Sequence, residues 1–293
     1  MKGSSVETVT SNDGSRIAYD RSGEGPTVIL VAGALGYRKF NKMEELARLL
    51  SGRCTVINYD RRGRGDSTEV KPFALEREIE DIAALVDAEG GSASLWGWSS
   101  GGALALRAAG AGIGVEKVSV YEVPFMVTPG AKRPTRDYAE RLDELVAADD
   151  RSGAVKHFMR NAIGIPAPFV AVMPLMPMWK GVKATAPTLP YDWAALGEHT
   201  MYGAPLDPAE WATVTMPAQV VYGSKTMDVL EQGSRALAEV LPNAELRELE
   251  GVSHNIKMPV LAPVLTEFFA AGTTGGYPHP GTRASHLSKD PAR

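Results

Sequence analysis

The chain has 293 residues, 44% hydrophobic and 23% charged, enough apolar material for one α/β domain with an insertion or for two small domains. Its 31 basic and 35 acidic side chains give a formal net charge of -4, which speaks against a nucleic-acid binder, and no apolar run approaches the roughly 20 residues that cross a bilayer. The single cysteine, Cys54, rules out an internal disulfide; with the polar N-terminal residues it sets the expectation of a cytoplasmic protein without membrane or nucleic-acid partners.

In chain order, residues 6–10 and 16–20 flank Asn12-Asp13-Gly14, a hairpin turn signal. Residues 27–32 form a continuous apolar run, the pattern of a strand buried on both faces. Helical periodicity follows over 39–50, then a strand over 55–59 and a helix over 75–88 with Ile79, Ile82, Ala83 and Val86 on one face. A strand over 93–98 leads into an Ala/Leu-rich helix over 100–111, and 117–121 is another strand. After residue 205 the alternation resumes: strand 219–222, helix 229–241, strand 245–249 and helix 259–270. Such alternation predicts a mostly parallel sheet of about eight strands with helices on both faces.

Residues 124–205 break the rhythm. Helices are expected over 137–148 and 154–163, and 166–190 is rich in Pro and Met. This segment reads as a helical lid over a core made of residues 1–123 and 206–270. The last stretch, 271–293, is polar, Gly/Pro-rich and aperiodic, and is expected to be disordered.

Gly97-Trp98-Ser99-Ser100-Gly101 matches G-x-S-x-G between a predicted strand and a predicted helix. A serine on that sharp turn stands above the carboxyl edge of the sheet. Glycines two residues to either side avoid collisions, and the following N–H, that of Ser100, points toward a reacting carbonyl at a helix start with positive potential.

With this elbow, three further blocks resemble the α/β-hydrolase superfamily: Val31-Ala32-Gly33-Ala34-Leu35-Gly36, Asp60-Arg61-Arg62-Gly63-Arg64-Gly65-Asp66-Ser67 and Gly251-Val252-Ser253-His254-Asn255. The resemblance implies the α/β-hydrolase fold over most of residues 6–270. It also implies that the N–H of Ala34 joins that of Ser100 in an oxyanion hole, with Ala32 replacing the family's usual His. The arginine block takes a structural role by the same resemblance; the competing reading, a nucleic-acid patch, is disfavoured by the acidic chain and the flanking Asp60 and Asp66.

Of His157, His199, His254, His279 and His286, only His254 follows the terminal strand and precedes the last helix, where the fold returns a loop to the nucleophile. It is the candidate general base for Ser99. Two carboxylates compete to orient it. The common family position, after strand 219–222, holds Thr226, with Asp228 two residues on. Glu122 directly follows strand 117–121, where certain haloalkane dehalogenases carry their acid, and is the preferred candidate.

The lid's soft apolar side chains, among them Met126, Met176 and Trp179, are candidate pocket residues for a small hydrophobic substrate. No metal motif or phosphate loop is present, so no cofactor is expected. The combined reading is a serine hydrolase of an ester, thioester or lactone acting through an acyl-enzyme. The alternatives are non-ester chemistry on the same fold (C–C bond hydrolysis, peroxyacid formation, cyclisation) and a ligand-binding protein that keeps the pocket.

Overall fold

The computed structural model describes residues 6–129 and 134–270. The tail 271–293, with His279 and His286, lies outside the described residues. In chain order the elements are β1 (Glu7–Thr10), β2 (Arg16–Ser22), β3 (Thr27–Val31), α1 (Asn41–Leu50), β4 (Thr55–Tyr59), α2 (Leu75–Ala88), β5 (Ala93–Trp98), α3 (Ser100–Gly110) and β6 (Val115–Tyr121). An insert follows, with α4 (Tyr138–Ala147), α5 (Arg151–Asn161), α6 (Ala167–Val172), α7 (Trp179–Ala184) and α8 (Leu189–Leu196). The chain then adds α9 (Pro208–Trp211), β7 (Ala218–Gly223), α10 (Asp228–Val240), β8 (Ala244–Leu249) and α11 (Met258–Ala270).

The strands form one sheet in the order β1-β2-β4-β3-β5-β6-β7-β8. The β1–β2 hairpin attaches antiparallel to β4, and the other six strands run parallel. The central strands are apolar at consecutive positions because both faces are covered. Ile29, Ile57, Leu95 and Val120 face a core closed by α2, α3 and α10. Their neighbours Val28, Val56, Trp96 and Tyr121 face the opposite core, closed by α1 and α11 through Met43, Leu46, Leu261 and Leu265. Cys54 is buried in that second layer.

Register decides what meets at the carboxyl edge. Val31 pairs with Gly97, so the segment after β3 runs beside the turn after β5. Trp98 pairs with Tyr121, which sets Ser99 next to Glu122. Gly223 pairs with Leu249, bringing the segment that carries His254 alongside the end of β7.

Most element ends shift by one to three residues from the sequence reading, and three differences have a local cause. Strand β6 begins at Val115, two residues before the expected start, directly after a turn in which Gly112 and Gly114 take positive φ. Helix α5 begins at Arg151, because the Asp150 side chain accepts the Gly153 N–H at 2.8 Å and caps it. The Pro-rich stretch is a series of short helical turns with prolines in their first positions, where the missing N–H costs nothing. Leu142, Val155, Val182 and Leu189 of the insert pack with Leu35 into a third cluster, while Phe169, Val172 and Leu175 stay exposed.

Candidate active site

Ser99 sits between β5 and α3 at φ 56°, ψ -130°, a conformation that costs a non-glycine residue of order 1–3 kcal/mol. Its surroundings hold it there. The Ser99 N–H donates to Tyr121 O at 2.9 Å, and Ser99 O accepts the Gly102 N–H at 2.8 Å. A Cβ on Gly97 would lie 2.5 Å from Gly102 Cα, and one on Gly101 would lie 2.3 Å from Val31 O. The elbow therefore approaches the neighbouring backbone too closely for any side chain at either position.

Glu122 is a second residue in the left-handed region, at φ 46°, and is fully buried. Its Oε1 accepts the Gly223 N–H at 2.9 Å and its Oε2 lies 2.7 Å from His254 Nδ1. A proton on Nδ1 bridges to the carboxylate and leaves Nε2 as the lone-pair nitrogen. Asp228 is the exposed first residue of α10, where its charge favours the helix N-terminus. No hydrogen bond joins it to His254 among the described residues. Thr226, in the position where the resemblance places an Asp, has a buried Oγ1 with no hydrogen-bond partner.

The segment bearing His254 is fastened on two sides. Burial, with Glu122 beside it, pushes the Tyr121 phenol far above its ordinary pKa, and the hydroxyl donates to Ser253 O at 2.8 Å. Lys42 Nζ donates to Ile256 O at 2.6 Å and stands 5.3 Å over the Trp98 ring, which leans on His254 at 6.2 Å.

Ser99 and His254 both line a cavity of about 240 Å³. Ala32, Gly33, Ala34, Leu35 and Gly36 supply one wall, Phe40, Met43 and Trp98 the floor, and Phe158, Met159, Ile163, Met178 and Val182 of the insert the roof. His254 is the only titratable side chain in this lining, which is otherwise formed by apolar side chains, glycines and Ser99.

The expected pocket residues lie elsewhere. Met126 is buried in the core that faces α3, Met176 is solvent-exposed, and Trp179 packs within the insert's own cluster. The physical reason is directional: methionine content marks the insert as apolar but does not say which faces turn toward Ser99. Met159 and Met178, from the same stretch, do line the cavity. His157 is likewise absent from the lining and stacks on Tyr138 at 4.9 Å.

The loop after β3 also differs from expectation. The Ala34 N–H is not free, because it donates to Ser100 Oγ at 2.9 Å. Ser100 starts α3, so its own N–H has no intrahelical partner. Arg61, Arg62 and Arg64 are each buried in ion pairs, with Glu78 and Asp192, with Asp13 and Asp81, and with Asp192 respectively. They are internal struts, unavailable to nucleic acid. Asp192 was not singled out from the sequence, although the signal exists: it is the one carboxylate in the apolar helix Leu189–Leu196.

Among the described residues, no group of three or more His, Cys, Asp or Glu side chains is placed to hold a metal, and no helix is long and apolar enough to cross a membrane.

The class follows from an elbow serine, a carboxylate-paired histidine and a parallel sheet that carries both at its carboxyl edge. Residues 28–266 match the profile of the Alpha/beta hydrolase family, and the chain belongs to that family. It is similar to an alpha/beta hydrolase from Sphaerobacter thermophilus DSM 20745, with 43% identity, 90% of this chain and 100% of that chain covered, and a TM-score of 0.81. Two curated relatives match in part. Polyketide synthase ThaQ of Burkholderia thailandensis is 27% identical over 90% of this chain, which spans only 13% of that protein. Serine hydrolase BPHL of Mus musculus is 36% identical over 33% of this chain and 35% of its own length.

Proposed function

We propose that this alpha/beta hydrolase is a serine hydrolase of carboxylic esters, thioesters or lactones of small, uncharged, apolar molecules. The observation that carries the reading is the 2.7 Å pair between buried Glu122 and His254 Nδ1, on a histidine that shares its cavity with Ser99. Glu122 holds the imidazole in the tautomer with Nε2 free and stabilises the imidazolium that forms. Nε2 takes the hydroxyl proton as Ser99 Oγ attacks the carbonyl carbon. The Ser100 N–H and the positive end of α3 receive the developing oxyanion, with the Ala34 N–H shared between that oxyanion and Ser100 Oγ. His254 then gives its proton to the departing alcohol or thiol. In a lactone both halves stay joined to the acyl-enzyme. Water, deprotonated by the same nitrogen, releases the acid and restores Ser99. The helical insert roofs the site as a lid and supplies five of the apolar side chains that select the acyl or alcohol group. The Mus musculus relative is a serine hydrolase, which agrees with this nucleophile.

The test is labelling with an alkyl fluorophosphonate, read by mass spectrometry, on wild type and Ser99→Ala. The reading expects one adduct, on Ser99, and none in the variant, together with turnover of short chromogenic esters. A folded wild type that neither labels nor hydrolyses any ester, thioester or lactone refutes it.

A further inference from the structure

The backbone of residues 32–36 forms a wall of the cavity and carries the Ala34 N–H. Three side chains grip it. Arg61 Nη1 donates to Ala32 O at 3.1 Å; Arg64 Nη1 donates to Gly33 O at 2.7 Å and to Gly36 O at 3.0 Å; Ser100 Oγ accepts from Ala34 N–H at 2.9 Å. All three side chains converge on one carboxylate. Asp192 Oδ1 accepts from Arg61 at 2.5 Å and from Ser100 Oγ at 2.9 Å, and Oδ2 accepts from Arg64 at 2.7 Å.

Asp192 belongs to the insert, not to the sheet. It is buried, and although burial opposes its charge, Arg61 and Arg64 outweigh that and hold its carboxyl below the ordinary range. Arg61 has a second, bidentate carboxylate in Glu78, at 2.7 and 2.6 Å. Arg64 has Asp192 as its ion-pair partner, and its Nε donates to Thr188 Oγ1 at 2.8 Å, just ahead of α8. The insert thus reaches the loop through Arg64 twice, and through Arg61 and Ser100 once each.

We propose that Asp192 is a positioning residue that couples the insert to the oxyanion loop: through Ser100, Arg61 and Arg64 it sets the backbone of residues 32–36 over Ser99. The hydroxyl of Ser100 is the most direct link. Its proton goes to Asp192 and its lone pair receives the Ala34 N–H, so the direction of that N–H follows the position of the carboxylate. Substrate contacts on the roof and the geometry around the carbonyl are then parts of one hydrogen-bonded unit. This rests on the hydrolase reading above for its kinetic consequence, but not for its structural one.

Two variants separate the links. Ser100→Ala removes only the bridge from Asp192 to Ala34 and keeps every ion pair and the Ser100 backbone N–H. Asp192→Asn weakens the whole hub. Phosphonylation of Ser99 by an alkyl fluorophosphonate is followed to saturation, and hydrogen exchange is measured on the peptide spanning residues 32–36. For Ser100→Ala the expected result is a fall of about tenfold in the limiting rate, smaller than outright loss of an oxyanion donor, with the half-saturating concentration within about twofold. Ser100→Thr, which restores a hydroxyl, recovers at least half of the rate. Exchange in the loop accelerates in Ser100→Ala and Asp192→Asn, and not in Ser100→Thr. The proposal is overturned if Ser100→Ala matches wild type in rate and exchange, if Thr does not restore what Ala loses, or if the loss lies wholly in the half-saturating concentration. A wild type that does not label at Ser99 defeats the hydrolase reading instead, and the exchange measurement still decides whether Asp192 holds the loop.

Discussion

Glu122→Gln isolates what the buried carboxylate does. The replacement is isosteric, and in one orientation its amide oxygen keeps the Gly223 N–H that Oε1 accepts at 2.9 Å. Its NH₂ then points at His254 Nδ1, 2.7 Å from the present Oε2. That orientation satisfies both contacts, but Nδ1 must now accept, so the proton moves to Nε2 and the base is lost. Turning the amide over restores the working tautomer but sets NH₂ against the Gly223 N–H, at about 1–3 kcal/mol for unpaired buried donors. The inactive tautomer is therefore favoured. The tautomer penalty alone accounts for about 5- to 160-fold; with the loss of the anion that stabilises the imidazolium, a fall in kcat/KM of about 10³–10⁴ is expected, some 4–5.5 kcal/mol of transition-state stabilisation. Melting should change little, since no cavity or unpaired group is created. The assay is kcat/KM for a short chromogenic ester beside Asp228→Asn, which should stay within about twofold of wild type, as exposed polar changes usually do. Collapse of Asp228→Asn with Glu122→Gln near wild type would refute the assignment of the acid.

Other predictions address the elbow, the cavity and the hairpin. Gly101→Ala places a Cβ 2.3 Å from Val31 O, and should lower Tm by roughly 2–12 °C and depress activity; unchanged melting would contradict the close approach. Met159→Trp fills the roof of the cavity, and in a chain-length series of p-nitrophenyl esters it should raise KM for the octanoate about tenfold or more while sparing the acetate. Asp13 is held down to about 2: burial pulls the other way, but hydrogen bonds from Arg62 and Ser15 prevail. A depressed carboxyl contributes stability that is complete above its unfolded value near 3.8 and is lost as pH falls toward 2. Asp13→Asn should therefore lower the urea midpoint at pH 7, and the gap from wild type should close between pH 4 and about pH 2; a gap independent of pH would show that packing, not charge, is at work.

Much of this arrangement was legible because parallel strands buried on both faces announce themselves as unbroken apolar runs. Ser99 then announced itself by its elbow motif and His254 by its place after the last strand, while the acid stayed open between Glu122 and Asp228. What was hidden depended on direction. Met126, Met159, Met176 and Met178 look alike in sequence, yet Met126 faces the sheet core, Met159 and the half-exposed Met178 line the cavity, and Met176 faces solvent away from it. The insert's turns are short and proline-punctuated, so no long periodicity fixes their faces. Ala34 was readable as a loop N–H, but not that a hydroxyl at position 100 would accept from it, since that contact spans 66 positions of sequence. Asp192 was visible only as a lone carboxylate in an apolar helix; its partners, from the turn after β4 and the start of α3, were not.

The buried charges beneath the oxyanion loop also limit how this sequence can drift. Arg61 and Arg64 face Glu78 and Asp192, two positive groups against two negative. Changing any one alone strands a charge in the interior, a step of about 3–5 kcal/mol that removes a large fraction of an ordinary domain's stability. Arg64 and Asp192 can leave together, however, because Arg61 and Glu78 remain a balanced pair. Mutational paths through this region thus run in coupled steps, and descendants of this chain should carry both members of that outer pair or neither.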